Sequence, residues 1–472
     1  MTERHSTPDP TTLVAIDIAK HRHEVLIEAP GHQRRRRLTV LRSKADYDRL
    51  VETLATYPNP VVIGFEATGD YHRGLAYRLL SAGFELRLIS SVALARTREA
   101  LHNGWDKNDP KDAQVILHML RIGATQRYVD PLAVGINDLQ ELSKTHEAIS
   151  KAKTETWHRI LTHYLPLYFP EIERFAGNSR SDWFLALVGR FPTPGSIMAL
   201  DRESFVQEAW PLVGRKVSKP RLLNDIYETA SSSTALPVED GSAAVTMFCM
   251  VLAEARSLIR QRNQIEELAH TMLADHGDYQ LLRKIPGIGP IHALTILAEA
   301  GDLRRFGHHR QFLKFCGLDL ATHQSGTFRG RTKLSKYGNA RLRRALWMAA
   351  QVAARQRDNS FRDKLGRYTE RDRFDADLRR KAVTALTAKM ARVVHAVIKG
   401  GTEYRPFFER SVPGGRTSLC TGREGAQATL SIMFGPSTWG VSRIEDGEDH
   451  GFARWILCLL WERTIPLTVE AT

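Results

Sequence analysis

The stretch TLVAIDIA, residues 12 to 19, decides how the chain is read. Its apolar, β-branched composition marks a strand. Asp17 lies inside it, between Ile16 and Ile18. A carboxylate in an apolar strand is costly unless it is paired, hydrogen-bonded or metal-bound. Two runs with strand character follow, HRHEVLIEAP and RRRRLTVL, separated by turn residues. SKADYDRLVETLATY then opens with Ser43 as an N-cap and shows helical spacing at Tyr47, Leu50, Val51 and Leu54. PVVIGFEAT is an apolar strand of the buried, parallel kind and ends near Glu66. DYHRGLAYRLLSAGF reads as a helix, ELRLIS as a strand, and SVALARTREALHNG and PKDAQVILHMLRIG as helices. The order β-β-β-α-β-α-β-α-α is that of a ribonuclease-H-like mixed sheet. In that fold two inner strands lie side by side and a late helix crosses their ends.

Asp109 and Asp112 stand three apart in DKNDPKDA, residues 106 to 113. One reading is capping, with Asp109 as N-cap, Pro110 in the first helical position and Asp112 complementing the helix dipole. The other is a pair of metal ligands on one helix face. Asp17 and Glu66 bear on the choice, since neighbouring inner strands would bring both to one sheet edge. Like charges about 4 Å apart cost on the order of 4 kcal/mol at an effective dielectric of 20. Divalent cations relieve that cost, and two such ions can clamp a phosphodiester. Capping and metal binding are compatible.

The 472 residues are enough for two to four domains. The net charge is +14 and the pI about 9.7, a surplus that favours a polyanionic partner such as nucleic acid. Cys249, Cys316, Cys420 and Cys458 form no C-x-x-C pair, which argues against a zinc ribbon or a disulfide framework. No apolar run approaches the roughly 18 residues of a membrane span. The start, MTERHSTPDP, does not read as a signal peptide, and the expected compartment is the cytoplasm.

Residues 133–275 read as a helical region. Its long amphipathic helices, LQELSKTHEAISKAKTETWHRILTHYL and AAVTMFCMVLAEARSLIRQRNQIEELAHTML, suit either a coiled-coil dimer contact or packing on their own domain. Residues 276–412 form a further, mostly helical unit. It opens with a PGIG turn that either offers N–H groups to a phosphate, as a helix-hairpin-helix does, or simply joins packed helices. From 301 to 350 there are eleven Lys or Arg against two Asp. In GLDLATHQSGTFRGRTKLSKYGNARLRRAL, residues 317 to 346, Ser325 precedes Gly326 and is followed by Arg329, Arg331, Lys333, Lys336, Arg341, Arg343 and Arg344. A serine needs help as a nucleophile, and nearby guanidinium groups or a metal-bound phosphate could supply it. A plain turn is the bland reading of Ser-Gly. Ser335, just ahead of a helix, is a rival that could cap or hold a phosphate.

Together these residues resemble a known family, the DEDD transposases of bacterial insertion sequences. These are bridge-RNA-guided recombinases related to the pilin-gene invertase. The resemblance runs over about residues 12 to 410. It rests on VAIDIAK, GFEATGDYH, KNDPKDA, IPGIGPIHALTILAEAGDLRRF, and the series F-C-G-L, Q-S-G and LSKYGNARLRR in that order. It implies a metal-binding domain over 1–132, in which Asp17, Glu66, Asp109 and Asp112 bind one or two Mg²⁺ ions, with Mn²⁺ able to substitute. It also implies a dimerisation region over 133–275 and a transposase domain over 276–412 with Ser325 as nucleophile. The implied partners are donor and target DNA, a structured non-coding guide RNA, and further copies of the chain as dimers assembling to a tetramer. This sequence departs from the family pattern in two places. G-L-D-L at 317 to 320 replaces G-L-x-P, and residues 413–472 have no counterpart. Two other readings compete: a RuvC-like metal nuclease such as a junction resolvase, in which water attacks, and a nucleic-acid binder without chemistry.

Overall fold

The computed structural model describes residues 11–102, 109–176, 182–214, 218–322, 324–325, 328–330, 332–372 and 374–407. The side chains at 102, 109, 110, 328 and 329 are outside that description. So is everything from 408 onward, including the 413–472 stretch, Cys420 and Cys458.

Strands β1 (Thr12–Ile18), β2 (Arg22–Glu28), β3 (Arg36–Leu41), β4 (Val61–Glu66), β5 (Glu85–Ile89) and β6 (Gln126–Arg127) form one sheet in the order β3-β2-β1-β4-β5-β6. β1 to β3 are an antiparallel meander, while β1, β4 and β5 run parallel. This is the strand order that the ribonuclease-H-like reading requires, with the two acid-bearing strands side by side. The short antiparallel β6 is an addition that sequence periodicity does not announce, because two residues carry no pattern.

The sheet is covered on both faces, which is why its inner strands are apolar throughout. Val14, Ile16, Ile18, Ile63 and Phe65 pack against helices α1 (Lys44–Ala55) and α2 (Arg73–Ser81). Leu13 and Ala15 point the other way, toward Ile116, Leu117 and Leu120 of α4 (Asp109–Arg121) and Leu94 of α3 (Ser91–His102). Strand side chains alternate, so Asp17 belongs to the α4 face although both isoleucines beside it do not. A Cβ added to Gly64 would lie 2.8 Å from the Leu120 side chain, so α4 rests directly on the β4 backbone.

Beyond the sheet, α5 (Asn137–Arg159) runs antiparallel to the 243–273 helix, as the pairs His146–Glu266 and Arg159–Glu254, both at 3.2 Å, require. Trp157, Ile160, Phe248, Leu252 and Ile259 are buried in a core shared with the short helices between them. The long helices therefore pack on their own chain. A third core joins Ile285, Leu294 and Leu297 to Leu342, Leu346, Leu386 and Met390, and Leu139 of α5 enters it. All described residues fall within one compact unit.

The PGIG element lies in that third core. Ile285 and Ile288 are buried, and Gly287 has φ +86°. A Cβ there would meet the Ala349 carbonyl oxygen at 2.1 Å and Ala353 N at 2.7 Å. Close packing between helices is a role the structure shows for this turn. Gly287→Ala is expected to cost more than about 2 kcal/mol, through strain and backbone overlap. Gly289→Ala, at a glycine with open space, should stay within about 0.5 kcal/mol. Urea melts of the two variants test the contrast.

Candidate active site

The acidic edge follows from the strand register. Thr12 to Ile16 of β1 pair with Val61 to Phe65 of β4, and the next step sets Asp17 beside Glu66, on the α4 face. α4 runs antiparallel to β1. At its far end Arg121 donates from Nε to Glu28 at 2.8 Å, and Glu28 is the register partner of Leu13. From Leu13 to Asp17 a strand rises about 13 Å. From Arg121 back to Asp112 a helix rises about the same. The first turn of α4 therefore reaches the carboxyl ends of β1 and β4.

Asp112 is 4% exposed, and its Oδ1 accepts from Arg98 Nε of α3 at 2.5 Å. Burying a charge is costly unless it is paired, and this pair meets that need. Asp112 thus engages a guanidinium through Oδ1. The helix starts at Asp109, one residue before the start that the capping reading expects, a difference within the ordinary spread of helix ends. The Asp109 side chain is outside the described residues. Among the described residues, no group of three or more histidine, cysteine, aspartate or glutamate side chains is gathered closely enough to hold an ion. The expected four-carboxylate cluster is not closed here, since Arg98 engages one member and another is undescribed. The donors nonetheless fit a hard divalent cation. Those of Asp17, Glu66 and Asp112 are carboxylate oxygens, and the buried Asp112 already holds a positive group.

The end of β1 is fixed by a buried histidine that periodicity alone does not flag. His23 pairs with Ile18 in register, accepts from the Ala19 N–H at Nδ1 (3.3 Å), and lies 3.0 Å from the Tyr47 hydroxyl through Nε2. Burial, helped by the charge of Arg42, lowers its pKa to about 4.

The serine lies on a nested hairpin. β7 (Leu320–Ala321) pairs with β10 (Lys333–Leu334), and inside it β8 (Gln324–Ser325) pairs with β9 (Phe328–Arg329). Ser325 opposes Phe328, so only residues 326 and 327 separate it from the returning strand, and it is exposed. Ser335 is placed differently. Its hydroxyl donates to the Asp319 carboxylate and its N–H to the Asp319 carbonyl at 2.9 Å, closing the hairpin base. Lys333 and Lys336 are exposed, and Lys336 adopts a left-handed φ of 55°. Arg341 (2.9 Å) and Arg344 (2.8 Å) reach Glu147 of α5. Arg343, half-buried, donates to the carbonyls of Cys316 and Lys336, each at 3.1 Å. These three cations tie the hairpin and the 340–355 helix into the fold. Arg331 and the Arg329 side chain are outside the described residues.

Sequence reasoning passed over Arg96, Arg98 and Tyr337. Arg96 donates to the Tyr337 hydroxyl at 2.9 Å and stacks 5.4 Å over its ring. α3 thus touches both the acidic edge and the loop behind the serine hairpin. Two arginines on a short helix carry no signal of this, because their partners lie 14 and 241 residues away.

The sheet with its acidic edge and the hairpin with its exposed serine match two family models in separate parts of the chain. One, described as a transposase and representing the DEDD type of IS110, covers residues 14–170. The other, the transposase IS116/IS110/IS902 family, covers 279–365. A probable family 20 transposase of Pseudomonas aeruginosa is 34% identical over 351 residues, spanning 74% of this chain and 86% of that protein. A 43.6 kDa protein of insertion element IS110 from Streptomyces coelicolor is 26% identical, over 71% of this chain and 80% of its own. The transposase for insertion sequence element IS1111A of Coxiella burnetii is 25% identical, over 64% and 69%. The chain is an enzyme of the transposase class, and DNA is the substrate that class implies. It belongs to the IS110 family of DEDD transposases. Family membership points to dependence on a divalent metal. Among the described residues no helix is long and apolar enough to cross a membrane.

The buried histidine gives a pH dependence. Its folded pKa is depressed from 6.5, so its contribution to stability is complete above 6.5 and is lost as pH falls toward 4, where the unfolded chain takes up the proton first. Thermal melts between pH 7 and 4.5 should fall less steeply for His23→Gln than for the wild type. Parallel curves would show that His23 does not titrate in this way.

Proposed function

We propose that this transposase cuts and rejoins DNA through a covalent link at Ser325, aided by Mg²⁺ held by Asp17, Glu66, Asp109 and Asp112. The observation that carries the choice of serine is the contrast in the hairpin. Ser325 is exposed beside the turn, whereas Ser335 is spent on Asp319. In the reaction the Ser325 oxygen attacks a DNA phosphorus. One P–O bond forms as another breaks, the departing DNA oxygen takes up a proton, and the hydroxyl's own proton passes to solvent. Energy of the phosphodiester is kept in the serine ester, so the reverse attack by a DNA hydroxyl rejoins strands. Bound Mg²⁺ supplies charge neutralisation at the phosphate. Exposed Lys333 and Lys336 lie close in sequence to the serine and attract the DNA backbone.

A structured non-coding RNA guides the choice of donor and target DNA, a reading that rests on the family resemblance and the net charge of +14. Self-association into dimers and a tetramer has its own support. Met247, Met250, Leu268 and Met272 are all exposed on the 243–273 helix, and at 3.6 residues per turn they share one face. Met250→Glu combined with Leu268→Glu should lower the mass measured by light scattering.

A denaturing trap for protein–DNA adducts tests the chemistry, with the element's flanking DNA, its RNA and Mg²⁺ present. The adduct should form in the wild type, vanish in Ser325→Ala, and survive in Ser335→Ala in amounts set by how well the hairpin base holds. Strand cleavage without any adduct would favour a water-using nuclease instead.

A further inference from the structure

We propose that Arg98 is a built-in counter-cation, which neutralises Asp112 while the acidic edge holds no metal and is displaced when a divalent cation binds. The proposal rests on the metal reading above and extends it to a residue outside the four acids. The pair is unlike the surface ion pairs of this chain. The side chain of Asp112 is 5% exposed and that of Arg98 18%, with 2.5 Å between Nε and Oδ1. Exposed pairs such as Lys44–Asp48 and Lys381–Asp377 gain little from their contacts. A buried carboxylate left alone at this position would be far more costly than either. The sheet domain must nonetheless fold around Asp112 whether or not a metal is present. A guanidinium from α3 meets that need by pairing with the buried carboxylate.

The arrangement also sets a competition. A metal ion that takes the Oδ1 lone pair now engaged by Arg98 must displace the guanidinium, so metal affinity is reduced by whatever Arg98 contributes to the metal-free state. A purely structural salt bridge makes the opposite demand, because its loss would disorder α3 and α4 and weaken every ligand they carry. The two roles therefore predict opposite signs for the effect of Arg98 on metal affinity.

The test uses the full chain and Mn²⁺ alone, with free Mn²⁺ followed by electron paramagnetic resonance. Arg98→Gln should bind Mn²⁺ at least tenfold more tightly than the wild type. Its melting temperature should be lowered in chelator and largely restored by Mn²⁺. Unchanged or weaker affinity in Arg98→Gln, with Asp112→Asn abolishing binding to the wild type, would overturn the counter-cation and leave the metal site standing. No Mn²⁺ binding by the wild type or by Arg98→Gln would overturn both. A second measurement needs no variant. Arg98 of the wild type should be protected from phenylglyoxal in chelator and modified when Mn²⁺ is added, as read by mass spectrometry of the peptide. Equal modification in both conditions would also overturn the proposal.

Discussion

The contact between α4 and the sheet is the constraint on which the rest depends. Leu120 lies against the bare backbone of Gly64, and Val115, Ile116 and Leu117 are fully or almost fully buried in the same layer. A side chain at 64 would force Leu120 to move. With the helix down and antiparallel to β1, its first turn lands at the carboxyl ends of the two central parallel strands. Asp17 and Glu66 end up there because of register, and Asp112 because of helix rise. One close approach thus brings the helix that carries Asp112 onto the sheet whose central strands end in Asp17 and Glu66.

That edge is polar within an apolar layer, so its charges need partners. Arg98 meets the need for Asp112. The same helix carries Arg96, which engages Tyr337 in the loop between the serine hairpin and the 340–355 helix. The hairpin is itself short of core. Its strands are two residues each, and its base is held by Ser335 on Asp319 and by Arg343 on two carbonyls. A two-stranded ribbon is marginal by itself, so these polar ties matter more than in a larger sheet. Part of the basic block is therefore mortar. Arg341, Arg343 and Arg344 hold the unit together, and Lys333 and Lys336 remain exposed.

Much of this was legible in the chain. TLVAIDIA and PVVIGFEAT, with their single acids, announced adjacent buried strands, and the helices around them followed from spacing and caps such as Ser43 on α1. The family resemblance carried the choice of Ser325. What the sequence left open were pairs of equally lawful readings. PGIG could bind phosphate or join helices, and only the approach of Ala349 showed how closely it packs the helices it joins. The long helices could dimerise or pack at home, and only the buried Trp157, Phe248 and Ile259 showed that they pack at home while leaving a methionine face outside.

By itself the sequence determined the order of elements, the alternation that sorts each strand residue to a face, and the residue types available for chemistry. These are set by local sterics and by period, which a single chain displays in full. Only the tertiary structure decided which cation meets which acid. Arg98 and Arg341 look alike in sequence, yet one sits on a buried aspartate at the acidic edge and the other ties the 340–355 helix to α5. Charge pairing across 14 or 241 residues depends on where helices come to rest, and that is settled by packing against the sheet rather than by any local pattern.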